Sequence, residues 1–76
     1  MNSASASDYN IAFGKFMREK RKEKGISQKE LASILGKSQA HICNLEKGKR
    51  NPDLAQMIIF FREIGTNPMD FFSQYL

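Results

Sequence analysis

Three observations predict an all-α fold for this 76-residue chain, a compact five-helix bundle. Apolar residues recur three and four positions apart, and no run alternates apolar with polar as a half-buried strand would. Ser and Asp residues stand just ahead of these runs, with Glu or Gln three positions later, the pattern that closes a helix N-terminus. Four of the five glycines fall where the periodic runs stop, as expected of left-handed C-terminal residues. The length suits one small domain. Such a domain buries only about 60% of the surface its unfolded chain exposes and is marginal alone.

The first helix is expected from about Tyr9 to Lys24, ended by Gly25, with Phe13, Phe16 and Met17 inward. Residues 1–8 are polar and read as a flexible arm ahead of a domain spanning 9–76. Gly14 lies inside this helix, where it costs about 1 kcal/mol relative to Ala unless close packing requires it. Ser27 caps the second helix, with Glu30 completing a capping box, Leu31, Ala32 and Leu35 inward, and Gly36 as the stop. Ser38 caps the third, which runs to about Lys47 before Gly48 and turns Ile42 and Leu45 inward. After the loop Lys49-Arg50-Asn51-Pro52, Asp53 and Gln56 form the box of a fourth helix closed by Gly65. Its expected inward stripe is Leu54, Met57, Ile58, Phe61 and Ile64. Asn67-Pro68 opens a last helix, with Pro at the first helical position and Asp70 near its positive end, offering Met69, Phe72, Tyr75 and Leu76 to the core.

Charge is distributed unevenly. Residues 15–24 carry a net +4 and residues 37–50 a net +3, whereas residues 51–76 carry −2. Positive charge therefore brackets the second and third helices, and the last third is acidic and apolar. One side suits a polyanion and the other suits protein. A solvated basic helix would give the first of these signals equally well. No apolar run reaches the roughly 18 residues of a membrane span, and the N-terminus lacks the basic start and apolar centre of a secretion signal. Cys43 is the sole cysteine, which excludes an internal disulfide and fits a reducing compartment. His41 and Cys43 diverge on a helix and have no further Cys or His to complete a metal site. No nucleophile turn, oxyanion cradle or phosphate-binding glycine loop is present. No enzyme, catalytic residue, metal or cofactor is expected.

Two short capped helices joined by a tight turn, followed by a basic run, have the layout of a helix-turn-helix DNA reader. A major groove about 12 Å wide accepts one helix, whose first turn meets the base edges. With Ile42 and Leu45 inward, the third helix leaves Gln39, Ala40, Cys43 and Asn44 for that role. A Gln or Asn amide can bond adenine N6 and N7 together, and Ala40 can pack on a thymine methyl. Lys37, Ser38, His41, Lys47, Lys49, Arg50 and Asn51 are the expected phosphate contacts.

From Phe13 to Phe72 the chain resembles the phage repressor and Cro-type helix-turn-helix family, the XRE-like regulators, whose domains have the lambda-repressor-like fold. The resemblance is carried by Gly14-Lys15, Arg21, Gly25-Ile26-Ser27-Gln28, Leu31-Ala32 and Gly36-Lys37-Ser38. It continues through Ile42, Leu45-Glu46, Gly48-Lys49-Arg50-Asn51-Pro52, Leu54 and Phe71-Phe72. It implies that Gln28 touches a phosphate and braces Gln39, and that Ala40 and Asn44 meet bases. It further implies that the loop around Lys47, Lys49 and Arg50 offers backbone N–H groups and basic side chains to phosphates, and that Arg21 pairs with Glu46. Lys20 departs from the pattern, standing where the family has a buried Leu; its stem is expected along apolar surface with the ammonium in water.

Ile59, Phe60 and Phe71 do not fit the inward stripes, and with Tyr75 and Leu76 they suggest a homodimer face, since exposed apolar patches mark interfaces. A two-fold dimer places two reading helices about 34 Å apart and requires a palindromic operator. The expectation is a cytoplasmic, nucleoid-associated transcriptional repressor of bacterial or phage origin. The alternative is an antitoxin, a restriction–modification controller-type protein or an adaptor whose main role is binding another protein.

Overall fold

The computed structural model describes residues 4–76. Five helices follow one another, α1 (Ala6–Glu23), α2 (Gln28–Leu35), α3 (Gln39–Glu46), α4 (Leu54–Ile64) and α5 (Met69–Phe72), and no strand occurs among the described residues. The all-α prediction holds, and most boundaries lie where caps and glycines place them. Ser27 and Asp53 each accept from the N–H three residues on, and each box is closed by the side chain of Glu30 or Gln56. Ser38 accepts from the His41 N–H. Asn67 Oδ1 accepts from the Met69 N–H at 2.9 Å, and Pro68 already has helical backbone angles.

The first helix starts three residues earlier than the apolar pattern predicts. Ser5 is its N-cap: Ser5 Oγ accepts from the Asp8 N–H at 3.2 Å, and Asp8 Oδ2 accepts from the Ser5 N–H at 2.9 Å. Residues 6–8 of the expected arm are thus helical, and residues 1–3 lie outside the described residues. The Ser5 N–H and the Ser5 hydroxyl, which donate to Asp8 Oδ2 at 2.9 and 3.1 Å, hold the Asp8 carboxyl below its ordinary value of 3.8. Its contribution to stability is complete above that value and disappears as the pH falls through the lower folded-state value. Ser5→Ala is expected to destabilise the domain by about 1 kcal/mol, read from the urea midpoint, with the pH dependence of stability below pH 4 only reduced, because the backbone N–H at position 5 still donates to Asp8.

The core is aromatic. Phe13, Phe16, Phe60, Phe61 and Phe71 are all buried. Phe13 meets Phe60, Phe61 and Phe71 edge-on, with ring centroids 6.1, 5.8 and 5.1 Å apart. Such contacts add to the area buried. Met17, Leu31, Ile42 and Leu45 complete the centre without measurable exposure beyond 1%. This corrects the expected dimer face. Phe60 and Phe71 are core residues at 0% and 5% exposure, and Ile59 is partly buried against the core. The face of α4 is also rotated from the expected stripe: Gln56, Phe60, Phe61 and Ile64 point inward, while Leu54 and Ile58 are exposed. In the last segment Phe71 takes the core position, leaving Met69, Tyr75 and Leu76 exposed. Tyr75 packs edge-on against Tyr9, 5.4 Å away, so the N-terminal part of α1 receives the C-terminal segment.

Lys20 sits as expected. Its side chain is half-buried, with Nζ 5.5 Å above the Phe16 ring and 3.4 Å from Glu23.

Candidate nucleic-acid interface

The third helix is held from behind by a buried polar cluster. Arg21 from α1 donates to Glu46 twice, Nε to Oε2 at 2.7 Å and Nη2 to Oε1 at 3.1 Å. Its Nη1 donates to the carbonyl of Ile26 at 2.8 Å. Gln28 Nε2, at the start of α2, donates to Glu46 Oε1 at 2.9 Å. The carboxylate thus gathers three N–H groups from α1 and α2, and the end of α3 is tied to both. The Arg21–Glu46 pair is the one the resemblance implies. The expected brace from Gln28 to Gln39 is absent from the hydrogen bonds of the described residues; Gln28 fastens the far end of α3 instead.

The approach of α1 to α3 is unusually close at Gly14. A Cβ there would lie 2.2 Å from the Leu45 carbonyl oxygen. The glycine that helix propensity disfavours is therefore required by packing. Gly48 has φ +75, and a Cβ on it would meet Ile11 Cγ1 at 2.6 Å. The chain leaves α3 through a left-handed turn pressed on α1, and the basic loop begins there.

On the outer side, Gln39 and Ala40 are exposed in the first turn of α3, and Cys43 and Asn44 are half-buried one turn on. Lys37, Lys47, Lys49 and Arg50 are exposed around both ends of the helix. The Ser38 hydroxyl oxygen already accepts from the His41 N–H. Asn51 Oδ1 accepts from Asn10 Nδ2 at 2.9 Å, which ties the loop to α1. The backbone N–H groups of Lys49 and Arg50 both donate to the Asn44 carbonyl. This corrects the expectation that they are open to phosphates; the side chains of Lys49 and Arg50 remain exposed. The N–H groups of Gln39 and Ala40, at the positive end of α3, have no acceptor among the described residues.

His41 is half-buried, with Nε2 2.9 Å from Gln56 Nε2. Burial, then repulsion from Arg50 and Lys37, holds its pKa below the ordinary 6.5, with Asp53 and the contact to Gln56 acting in the opposite direction. The ring is neutral at pH 7 and above. Gln56 was visible in the sequence only as a capping residue. Its second role, reaching α3, depends on an inward turn that the cap alone does not reveal.

Comparison with known proteins agrees with this geometry. The sequence profile of the Helix-turn-helix family matches residues 17–71. An HTH-type transcriptional regulator of Haemophilus influenzae is 34% identical over 59 residues, covering 78% of this chain and 60% of that protein. This chain thus spans about 60% of the length of that curated relative. The restriction-modification controller protein C.AhdI from Aeromonas hydrophila is similar in structure, with a TM-score of 0.73 and 31% identity, over 82% of this chain and 94% of that one. The clp gene regulator ClgR from C. glutamicum shares the fold, with a TM-score of 0.78 at 23% identity over 87% and 85% of the two chains.

Proposed function

The chain belongs to the XRE-like helix-turn-helix family, and from this premise we propose that it is a sequence-specific double-stranded DNA-binding transcriptional repressor. It acts as a homodimer on a palindromic operator, with α3 in the major groove. One observation carries this reading: the first turn of α3 is exposed, has free backbone N–H groups, and is bracketed by Lys37, Lys47, Lys49 and Arg50. A helix N-terminus and flanking cations suit phosphates, and the exposed Gln39 amide suits a base edge. Asn44 and Cys43, one turn deeper, face the same groove wall, and Ala40 supports contact with a thymine methyl. Ser38, Asn51 and Gln28 reach phosphates with the polar atoms their internal bonds leave over.

The dimer contact cannot use Phe60 or Phe71. It rests on Tyr75 and Leu76 from the expected face, joined by the exposed Leu54, Ile58 and Met69. A second reading, a restriction–modification controller, is favoured by the likeness to C.AhdI over nearly all of that protein. It shares the DNA chemistry and differs in the genes controlled.

Selection from a random duplex pool at physiological salt tests the proposal. An enriched palindrome with half-sites about one helical turn apart is the expected result; retention without enrichment means phosphate binding alone. On the selected site, Gln39→Ala is expected to lose about 1–3 kcal/mol and relax one base position. Lys49→Ala should weaken specific and random DNA alike and lower the salt slope by about 1. Equal losses on both DNAs for both variants would overturn this division.

A further inference from the structure

Three polar side chains are buried among the described residues: Arg21, Glu46 and Gln56. The first two satisfy each other. Gln56 is only 4% exposed and faces α3. Its Oε1 accepts from the Asp53 N–H at 3.0 Å, while its own backbone N–H donates to Asp53 Oδ1 at 2.8 Å. The first bond fixes the orientation of the amide, because a flipped amide would set its NH2 against the Asp53 N–H. Gln56 Nε2 is then the atom 2.9 Å from His41 Nε2. An amide nitrogen only donates, so His41 Nε2 accepts and the ring proton sits on Nδ1. Among the described residues Nδ1 has no partner, and no buried side-chain nitrogen or oxygen lacks one. Nδ1 is therefore at the surface, in the first turn of α3.

Building on the DNA-binding reading above, we propose that Gln56 is a positioning residue for docking. It holds His41 as the neutral Nδ1–H tautomer, so that this N–H donates to a DNA phosphate beside the N-terminus of α3. The charged groups facing the ring are Lys37 from the α2–α3 turn, Arg50 from the α3–α4 loop and Asp53 at the start of α4. Burial and the two cations oppose a third positive charge and together outweigh Asp53 and the Gln56 contact; with its nitrogen toward the ring, the Gln56 amide cannot itself accept from an imidazolium. An imidazolium would also set N–H against N–H at Gln56 and break the tie between α4 and α3. The cations supply charge to the phosphate, and His41 supplies direction.

His41 is the only histidine, so long-range ¹H–¹⁵N NMR reads its ring alone. In the free protein at pH 7.5 the expected spectrum shows a protonated Nδ1 and a bare Nε2. Gln56→Glu keeps the capping bond to Asp53 and presents an acceptor to the ring. The proton should move to Nε2, and the ring should titrate at higher pH. On the selected duplex, wild-type affinity should be flat between pH 7 and 8. Gln56→Glu should bind about three- to tenfold more weakly at pH 8, the loss of one hydrogen bond, and recover as the pH falls toward 6. A protonated Nε2 in the wild-type protein would overturn the tautomer assignment. Parallel pH profiles for the two proteins would overturn the docking role. A wild-type protein that binds no duplex would overturn the DNA reading and the phosphate contact with it, while the NMR result on the free protein would stand.

Discussion

Gly14→Ala is expected to lower the thermal midpoint by roughly 10–20 °C, although alanine is the better helix former. The added methyl would sit 2.2 Å from the Leu45 carbonyl oxygen and 3.2 Å from that of Glu46. Both are backbone atoms of α3, so no side chain can rotate away. Either α1 and α3 separate by more than an ångström, or α3 shifts along the core. Overpacking of this kind costs about 1–3 kcal/mol and sometimes more. The propensity gain of about 1 kcal/mol offsets part of it, and the backbone origin of the clash places the net near 2–3 kcal/mol. A domain of this size loses about 4–8 °C per kcal/mol. Gly36→Ala is the control. Nothing lies within 4 Å of its added methyl, and only its positive φ of +66 is penalised, about 1 kcal/mol. Thermal unfolding followed by circular dichroism separates the two. A Gly14→Ala protein with an unchanged or raised midpoint would show that α1 and α3 do not meet this closely.

That glycine shows where the sequence is readable and where it is not. Helix ends are encoded locally, in a cap and the residue three positions on, and those of α2, α3 and α4 could be read directly. Ser5 and Asp8 obey the same rule, but they lie in a Ser- and Ala-rich stretch without an apolar run to announce a helix. The facing of α4 could not be read. Met57-Ile58-Ile59-Phe60-Phe61 offers no polar position to fix the phase, and the polar residue just before it, Gln56, is buried. The phase is set from outside, by the fit of Phe60 and Phe61 against Phe13. The same misreading made Phe60 and Phe71 look surplus. Composition shows six phenylalanines but not that five of them interlock in one cluster with none exposed beyond 9%. In the interface, Gln39, Ala40 and the flanking cations were legible because solvent exposure follows from the inward Ile42 and Leu45. The fates of Gln28 and Gln56 were not, because each depends on an acceptor on another helix.

Glu46→Ala should be the most damaging single change in the polar cluster, costing about 3–5 kcal/mol. Arg21 is 9% exposed in its side chain and Glu46 is 2%. Removing the carboxylate leaves a guanidinium out of water with only the Ile26 carbonyl as acceptor, and leaves the Gln28 amide unpaired at its inner end. A small domain of this length sits toward the low end of the about 5–15 kcal/mol that folded domains hold, and from there such a loss leaves the variant substantially unfolded at 37 °C. The loss does not measure the worth of the ion pair, since much of it is the cost of an orphaned charge. The double variant Arg21→Met with Glu46→Leu separates the two. It removes both charges together and fills similar volume, and it should regain most of the lost stability in urea unfolding. Its DNA affinity tests something different. If the cluster only fills space, the stable double variant should bind as the wild type does. If the three N–H groups converging on Glu46 fix the angle of α3 against α1 and α2, it should fold well and bind its selected site more weakly, with random DNA little affected. A loss below 1 kcal/mol for Glu46→Ala, the scale of an exposed pair, would mean that α3 is held by Ile42 and Leu45 alone.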